Sequence, residues 1–177
     1  MKNVSILLVS DASNDLFKIS KVLVKTLSLM GFSSKALLKE PNLPQFDLFT
    51  SSIIASKSPV FDASSEKYNA VIVFNQSILN VFDPLKHLTR SSVLIINTGE
   101  DLSKISSLNQ TVCLNIVRMI KEGYYEEGLI SGLCAVLRIL NFRKYIECLI
   151  QLGYSNEIIK NLENIYEVVR KEVLNIG

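Results

Sequence analysis

The chain alternates between short apolar runs and longer segments in which apolar residues recur every three or four positions. Val4–Val9, Ala70–Phe74 and Ser92–Ile96 are short, apolar runs, which is typical of parallel strands buried on both faces. After the first run, apolar residues recur at helical spacing up to Gly31, which we predict to be a C-terminal cap. Ser33–Leu38 is the next predicted strand. The chain therefore opens as strand, helix and strand, with a right-handed crossover.

The middle of the chain adds shorter elements. Phe46–Ala55 is predicted as a strand, Pro59–Phe61 as a short edge strand and Thr111–Leu114 as the last strand. Gln76–His87 is a short helical connector that Pro84 is predicted to break. The three predicted strands extend the sheet that the three apolar runs begin.

The remainder of the chain is predicted to be helical. The three helices are Tyr125–Leu140, Phe142–Leu152 and a last one from Asn156 to about residue 174. Asn141 and Ser155 are placed to cap the second and third of them. The whole pattern predicts an α/β fold: an open, mostly parallel sheet with helices on both faces, a Rossmann-like three-layer arrangement, and a helical C-terminus.

Composition agrees with a single domain over residues 1–177 with a proper core. Hydrophobic residues make up 48% of the chain and charged residues 20%. The net charge of +2 is too small to predict a nucleic-acid or membrane partner by bulk attraction. Asp11 and Asp15 interrupt the N-terminal apolar run, which lacks a signal-peptide cleavage site, and no run reaches the roughly 20 residues of a bilayer span. We expect a cytoplasmic protein.

Cysteine and histidine usage disfavours metal and nucleophilic chemistry. Cys113, Cys134 and Cys148 are far apart, and without a Cys-x-x-Cys pattern neither an iron–sulfur nor a zinc framework is expected. Buried thiols in a reducing compartment are the simpler interpretation. His87, the only histidine, would have to serve any catalytic triad, but its polar connector favours a solvated side chain. We expect no catalytic residues, no metal and no cofactor on this chain.

The loop after the first strand is the position where nucleotide-binding α/β domains hold phosphate. Its residues are Ser10, Asp11, Ala12, Ser13, Asn14 and Asp15. It contains no glycine, so backbone N–H groups cannot approach a phosphate in the usual way. Two like charges at ~4 Å repel by about 4 kcal/mol near a protein surface, whereas a helix N-terminus returns about 1 kcal/mol to an anion. Phosphate binding is disfavoured, and Asp11 or Ser13 is predicted to cap the helix instead.

Two other polar groups have both a functional and a structural interpretation. Asn97–Asp101 leaves the carboxyl end of a predicted strand, where loops line binding crevices, although a plain turn explains it equally well. Glu122, Glu126 and Glu127 could act as paired carboxylates in acid–base chemistry. Their position at a predicted helix start favours the simpler explanation, which is interaction with the helix dipole.

Small residues form a stripe along the first C-terminal helix: Gly128, Ser131, Gly132 and Ala135. They allow another backbone to pack closely, either the rest of this chain or a partner chain. The other faces of this helix are apolar as well, so we expect burial on more than one side. We therefore expect an oligomer, most simply a two-fold homodimer.

Three segments resemble the gamma-type subunit of the 2-oxoacid:ferredoxin oxidoreductases, which act on pyruvate, 2-oxoisovalerate, 2-oxoglutarate or indolepyruvate. Glu66–Gln76 resembles the family's strand that ends in Gln, Ser92–Thr98 its following strand, and Gly128–Ala135 its small-residue helix. In that family, thiamine diphosphate and iron–sulfur clusters lie mainly on other subunits, and the gamma part helps to enclose the coenzyme A and substrate side. The resemblance implies a subunit of a larger complex.

Both glycine motifs of that family are replaced in this chain. Ser10–Asp15 stands where the family has Gly-x-Gly-Gly-Gln-Gly, and Gln45–Asp47 where it has Arg-Gly-Gly. We therefore carry over no functional residue and predict a divergent, non-catalytic gamma-like subunit with a structural or regulatory role. The alternative is a homo-oligomeric protein that binds a small ligand at the carboxyl ends of the strands. A stand-alone enzyme is the weakest hypothesis, because the sequence has no nucleophile–base pair.

Overall fold

A computed structural model describes residues 3–11, 13–39, 48–58, 67–98, 110–114, 123–137 and 140–175. Within them the strands are β1 (Val4–Ser10), β2 (Ser33–Lys39), β3 (Phe49–Ser56), β4 (Tyr68–Val73), β5 (Leu88–Asn97) and β6 (Gln110–Leu114). The α-helices are α1 (Ser13–Leu29), α2 (Tyr125–Val136), α3 (Phe142–Gln151) and α4 (Asn156–Asn175), and two 3₁₀ helices cover Gln76–Asn80 and Pro84–His87. No helix in these ranges is long and apolar enough to cross a bilayer.

The strands form one six-stranded sheet in the order β2-β3-β1-β4-β5-β6. β1, β4, β5 and β6 pair in parallel, whereas β3 is antiparallel to both of its neighbours, β1 and β2. β2 therefore runs in the same direction as β1, and β3 is the strand that runs against the others. The prediction of an open, mostly parallel sheet is confirmed.

The sheet is buried on both faces because residues along β1 alternate between two cores. Ile6 and Leu8 belong to the larger core, which the sheet shares with all four α-helices. Leu7 and Val9 point to the opposite face, into a smaller core with apolar residues of the two 3₁₀ helices. Helices thus cover both faces, as the sequence predicts, with the longer ones on one side.

α1 packs its apolar stripe on the sheet and ends as the sequence predicts. Gly31 has a φ of +79°, the left-handed conformation that favours glycine. Its N–H donates to the Ser28 carbonyl at 2.9 Å, and the Phe32 N–H reaches back to the Leu27 carbonyl at 3.0 Å. This Schellman arrangement satisfies the last carbonyls of the helix and directs the chain into β2.

The first C-terminal helix is shorter than predicted. α2 ends at Val136 rather than at Leu140, because Leu137 adopts an extended conformation. The Leu140 N–H donates to the Leu137 carbonyl at 2.9 Å, and Leu140 lies in the larger core with 3% of its surface exposed. Burial of Leu140 is favourable by about 1.5–3 kcal/mol, more than another turn of exposed helix would contribute. The predicted cap of α3 is confirmed: the Asn141 side chain accepts from the Lys144 N–H.

The connector between β4 and β5 is helical and is interrupted before Pro84, as predicted. Pro84 opens the second 3₁₀ helix, and Asp83 caps that helix by accepting from the Leu85 N–H at 3.0 Å. Proline is suited to a first helical position, where its missing N–H would have no intrahelical partner. The predicted edge strand Pro59–Phe61 lies outside the described residues.

Candidate functional site

The carboxyl ends of β1, β4 and β5 meet at one edge of the sheet. From β1 the chain turns into α1 on the face of the larger core, whereas from β4 it turns into a 3₁₀ helix on the opposite face. The sheet therefore has a topological switch point between β1 and β4, the place where open α/β sheets hold their ligands. We call this place the carboxyl edge.

A hydrogen bond crosses the carboxyl edge between β1 and β4. The Asn75 side-chain amide donates to the carboxylate of Asp11 at 3.2 Å, and its oxygen accepts from the Ser77 N–H at 3.2 Å. Asp11 is exposed, so a negative charge stands at the opening. Ala12 and the side chains of Ser13 and Asn14 are outside the described residues, and the cap of α1 stays a prediction.

Further along the carboxyl edge, the side chains of Gln76, Asn97 and Thr98 also form hydrogen bonds within the chain. The Thr98 hydroxyl donates to the side-chain oxygen of Gln76, and Thr98 is buried. The side-chain amide of Asn97 donates to the Phe74 carbonyl at 3.1 Å. The start of the predicted Asn97–Asp101 loop therefore does lie at this edge, but these side chains tie neighbouring strands together. Gly99 to Asp101 lie outside the described residues.

The structure places Glu127 in the interior, whereas the sequence interpretation explained it by its position at a helix start alone. Glu127 is 0% exposed, and its Oε1 accepts from the Lys18 ammonium at 2.7 Å and from the Tyr154 hydroxyl. Its backbone carbonyl accepts from the buried Tyr145 hydroxyl at 2.8 Å. The helix dipole still favours the charge, but the ion pair with α1 is what compensates its burial. Glu122 is outside the described residues.

Two aromatic rings also lie beside the Lys18 ammonium. Its Nζ lies 5.0 Å from the ring centroid of Tyr124 and 5.6 Å from that of Tyr154, within the range of cation–π attraction. Burial, followed by the hydrogen bond to Glu127, raises the pKa of Tyr154, so its hydroxyl remains a donor. Burial also raises the pKa of Glu126, and Asp15 acts in the same direction.

Lys18, Glu127, Tyr124 and Tyr154 form a cluster that joins α1, α2 and the residues just before α4. Its ammonium, carboxylate, hydroxyl and aromatic groups interact with one another. Among the described side chains, the buried polar atoms without a hydrogen-bond partner are Glu127 Oε2 and Ser131 Oγ, one helical turn apart. Sequence reasoning missed the ion pair although a signal was present. Glu127 lies four residues before Ser131 and seven before Cys134, which places it on a buried face of α2.

The remaining sequence candidates do not join either cluster. His87 is half-buried and stacks on Phe82 with ring centroids 5.1 Å apart, so it is not the solvated side chain expected. Cys134 and Cys148 are buried free thiols, and burial raises the pKa of both. Within the described ranges, no three His, Cys, Asp or Glu side chains are grouped as a metal site requires.

The small-residue stripe is packed inside the chain over most of its length. Gly128, Ser131 and Gly132 are buried, and α2 packs against α4. Ala135 is half-buried and borders a cavity of about 1110 Å³ between α2, α3 and α4. Internal packing, one of the two interpretations of the stripe, accounts for three of its four residues. The homodimer stays a prediction.

No family model and no curated protein matches this sequence. Solved structures do match its fold. A subunit of pyruvate oxidoreductase from Thermotoga maritima has a TM-score of 0.72 at 15% identity, with 97% of each chain covered. The gamma subunit of a keto/oxoacid ferredoxin oxidoreductase from Geobacter sulfurreducens has a TM-score of 0.71 at 13% identity, covering 99% of this chain and 98% of that one.

A third structure is the 2-oxoglutarate:ferredoxin oxidoreductase from Magnetococcus marinus, with 2-oxoglutarate, coenzyme A and succinyl-CoA bound. Its TM-score is 0.72 at 11% identity, over 97% of this chain but 32% of that one. The fold is that of the gamma subunits of 2-oxoacid:ferredoxin oxidoreductases. The resemblance seen in Glu66–Gln76, Ser92–Thr98 and Gly128–Ala135 is thus confirmed at the level of the fold.

Proposed function

We propose that this chain is a gamma-like subunit with a structural or regulatory role in a complex of the 2-oxoacid:ferredoxin oxidoreductase type, or in one derived from it. The observation that carries the proposal is the fold match over the full length of two separate subunits, with 97% and 98% of those chains covered. A match of that extent includes the helical C-terminus as well as the sheet.

The carboxyl edge supports a non-catalytic role within such a complex. A coenzyme A or nucleotide phosphate at the switch point would face the carboxylate of Asp11 and would have to displace the amide of Asn75 from it. At contact distance, the repulsion of about 4 kcal/mol outweighs the gain of about 1 kcal/mol at the start of α1. The residues of this edge therefore do not fit a phosphate-bearing cofactor, and catalysis is assigned to other subunits.

Purification from the native organism tests the assignment to a complex. The full chain with an affinity tag is expected to bring down thiamine-dependent and iron–sulfur subunits in fixed proportion, identified by mass spectrometry and by the absorbance of the clusters. The tag on an unrelated protein of similar size is the control. Recovery of the chain alone as an oligomer would contradict the proposal and favour the alternative, a homo-oligomeric protein that binds a small ligand.

Calorimetry tests the proposed loss of phosphate binding. Coenzyme A, thiamine diphosphate and a nucleotide are each titrated into the purified chain, and no heat of binding is expected at micromolar concentrations. The matched variant carries Asp11→Gly and Asp15→Gly, which remove both carboxylates from the loop. If the wild type binds one of these ligands at micromolar concentration and the variant binds it equally well, the ligand lies elsewhere on the chain. If the affinity differs between the wild type and the variant, the acidic loop accepts phosphate.

A further inference from the structure

We propose that β2, the terminal strand of the sheet in the part of the chain that the structure describes, binds an extended, acidic segment of another protein as an additional strand. The surface consists of β2 and the outer side of α1, and we call it the basic edge groove. Its lining residues are Phe17, Ser20, Lys21, Val24, Lys25, Ser28, Ala36 and Leu38. The proposal goes beyond the function proposed above, since it holds for any complex that the chain joins.

The backbone of β2 is placed to accept a strand. Among the described strands, β2 has β3 as its single neighbour, so its other side is an edge of the sheet. The N–H and C=O groups along such an edge can pair with a segment added in an extended conformation. The Ser34 hydroxyl donates to the Val24 carbonyl at 3.1 Å, which fixes β2 against α1 and shapes one wall of the groove.

Apolar side chains are exposed along this edge. Leu37 is 39% exposed, Leu38 47% and Phe17, on the neighbouring turn of α1, 50%. Leu38 and Phe17 border a groove of about 490 Å³ on the α1 side of the strand, whereas Leu37 points to the opposite face. A strand paired with β2 would place side chains on both faces, and apolar ones would cover these three residues.

The positive charge of the basic edge groove favours an acidic segment. Lys21 and Lys25 line the groove on the α1 side, with the Lys21 ammonium 3.9 Å from the ring centroid of Phe17. Lys39 is exposed at the end of β2, on the same face of the strand as Leu37. None of the described lining residues is a carboxylate. Glutamate or aspartate side chains on the added strand would therefore meet lysines, and a neutral or basic strand would gain less.

A second copy of this chain is a poorer occupant than an acidic partner. A two-fold interface places the same patch against itself, so the lysines of each copy would face those of the other. Like charges across an edge-to-edge pairing are unfavourable. The groove is thus built for a different chain, with alternating acidic and apolar residues.

Photo-crosslinking in the native organism tests the proposal with the full chain. Leu38 is replaced by p-benzoylphenylalanine, and the crosslinked peptide is sequenced by mass spectrometry. The matched control carries the same replacement at Ile150, an apolar residue of α3 that is 57% exposed. The expected product at position 38 is an adduct with one acidic, apolar segment of another protein, and the control gives no such adduct.

Charge reversal is the second measurement. Lys21→Glu with Lys25→Glu is expected to lower the yield of the position-38 adduct by at least about tenfold. Lys160→Glu with Lys171→Glu, on exposed positions of α4, changes the net charge equally and should leave the yield unchanged. An adduct with this chain's own peptide, with a segment that is not acidic, or no adduct beyond that at Ile150 would each overturn the proposal. Recovery of oxidoreductase subunits does not enter these outcomes, so the two proposals fail separately.

Discussion

Two helices of this fold begin beside acidic residues, and the surroundings of the two starts differ. At the start of α1, Asp11 is exposed and accepts a hydrogen bond from the Asn75 side chain. At the start of α2, Glu127 is 0% exposed and bound to Lys18 of α1. The local sequence signal is the same, since carboxylates favour the positive end of a helix dipole. An acidic residue therefore marks a helix start in this fold, but it carries no information about whether that start is buried.

The difference in burial comes from what lies next to each helix start. α1 begins at the open carboxyl edge, where water solvates Asp11. α2 begins against α1 and the residues that precede α4, and their packing removes water from Glu127 while providing Lys18 and Tyr154 as partners. A buried carboxylate without such partners would cost several kcal/mol, so the energies at the two helix starts should differ greatly.

The largest expected effect on stability is at the start of α2, where Glu127 is buried. Lys18→Met removes the ammonium and leaves the Glu127 charge without its ion-pair partner. We expect a loss of about 3 kcal/mol in the free energy of unfolding, the low end of the range for a broken buried pair, because Lys18 is 49% exposed. Urea denaturation measures it. Lys21→Met, one turn further along α1, is the control and should change stability little. Equal effects of the two variants would show that the ion pair does not stabilise the fold.

Tyr154→Phe should have the second largest effect. It removes the hydroxyl that donates to Glu127 and keeps the ring, so the loss reports a hydrogen bond to a buried charge, about 1.5–3 kcal/mol. Thermal unfolding followed by circular dichroism is a suitable measurement. Tyr166→Phe is the matched control, since Tyr166 stacks its ring on Phe142 at 3.9 Å. A drop for Tyr166→Phe as large as that for Tyr154→Phe would contradict the assignment.

The start of α1, where Asp11 is exposed, should tolerate the loss of its hydrogen-bonded carboxylate. Asp11→Ala removes the acceptor of the Asn75 amide at a solvated position, and water can replace the lost bond. The expected change in unfolding free energy is within about 0.5 kcal/mol. Asn75→Ala is the comparison, because it also removes the cap of the first 3₁₀ helix and should cost about 1 kcal/mol. A greater loss for Asp11→Ala than for Asn75→Ala would reverse the contrast between the two helix starts.

The smallest expected effect depends on pH and concerns Glu126. Burial raises the pKa of this carboxyl above its ordinary value of 4.5, with Asp15 and Glu127 contributing. The folded chain therefore binds this proton more tightly than the unfolded chain, and stability falls as pH rises from 4.5 through the raised pKa. Glu126→Gln should be slightly more stable than the wild type at about pH 7, with the gain lost in acid.

The control for this pH dependence is Glu157→Gln, an exposed carboxylate in the first turn of α4. It should give no gain at neutral pH, because that carboxylate is solvated and favours the helix dipole. Unfolding measured in urea across the acidic and neutral range provides both curves. A gain that is the same at every pH would show that Glu126→Gln acts through packing rather than through ionisation.

The sheet could be predicted where burial on both faces leaves a continuous apolar run. β1 and β4 match their runs to within two residues. β5 begins at Leu88, four residues before the predicted Ser92, because its first part is held by polar contacts such as the Thr89 N–H to the Ser92 hydroxyl at 2.9 Å. The antiparallel direction of β3 could not be predicted, because side-chain periodicity is the same in either direction.

The candidate site was less accessible to sequence reasoning. The glycine-free loop after β1 was recognisable, since a phosphate loop has a known composition at a known place. Its hydrogen bond from Asn75 to Asp11 was not, because the two residues are 64 positions apart. The Lys18–Glu127 pair is also a long-range contact: helical spacing places Glu127 on a buried face of α2, but it does not indicate which cation pairs with it. Both depend on which helices and strands become neighbours.

The insertion of β3 between β2 and β1 also has a consequence for the order of folding. β1, β2 and β3 pair through two antiparallel ladders confined to residues 4–56, whereas β4 and β5 pair over a similarly short stretch of chain. One ladder, β1 with β4, joins these two halves of the sheet; its partners Ile6 and Ala70 are 64 residues apart, compared with 51 for Val4 and Ala55 in the β1–β3 ladder. Long-range contacts carry the larger entropic cost of closing a loop. Amide exchange should therefore reveal two cooperative units, with the β1–β4 ladder as the seam along which they separate.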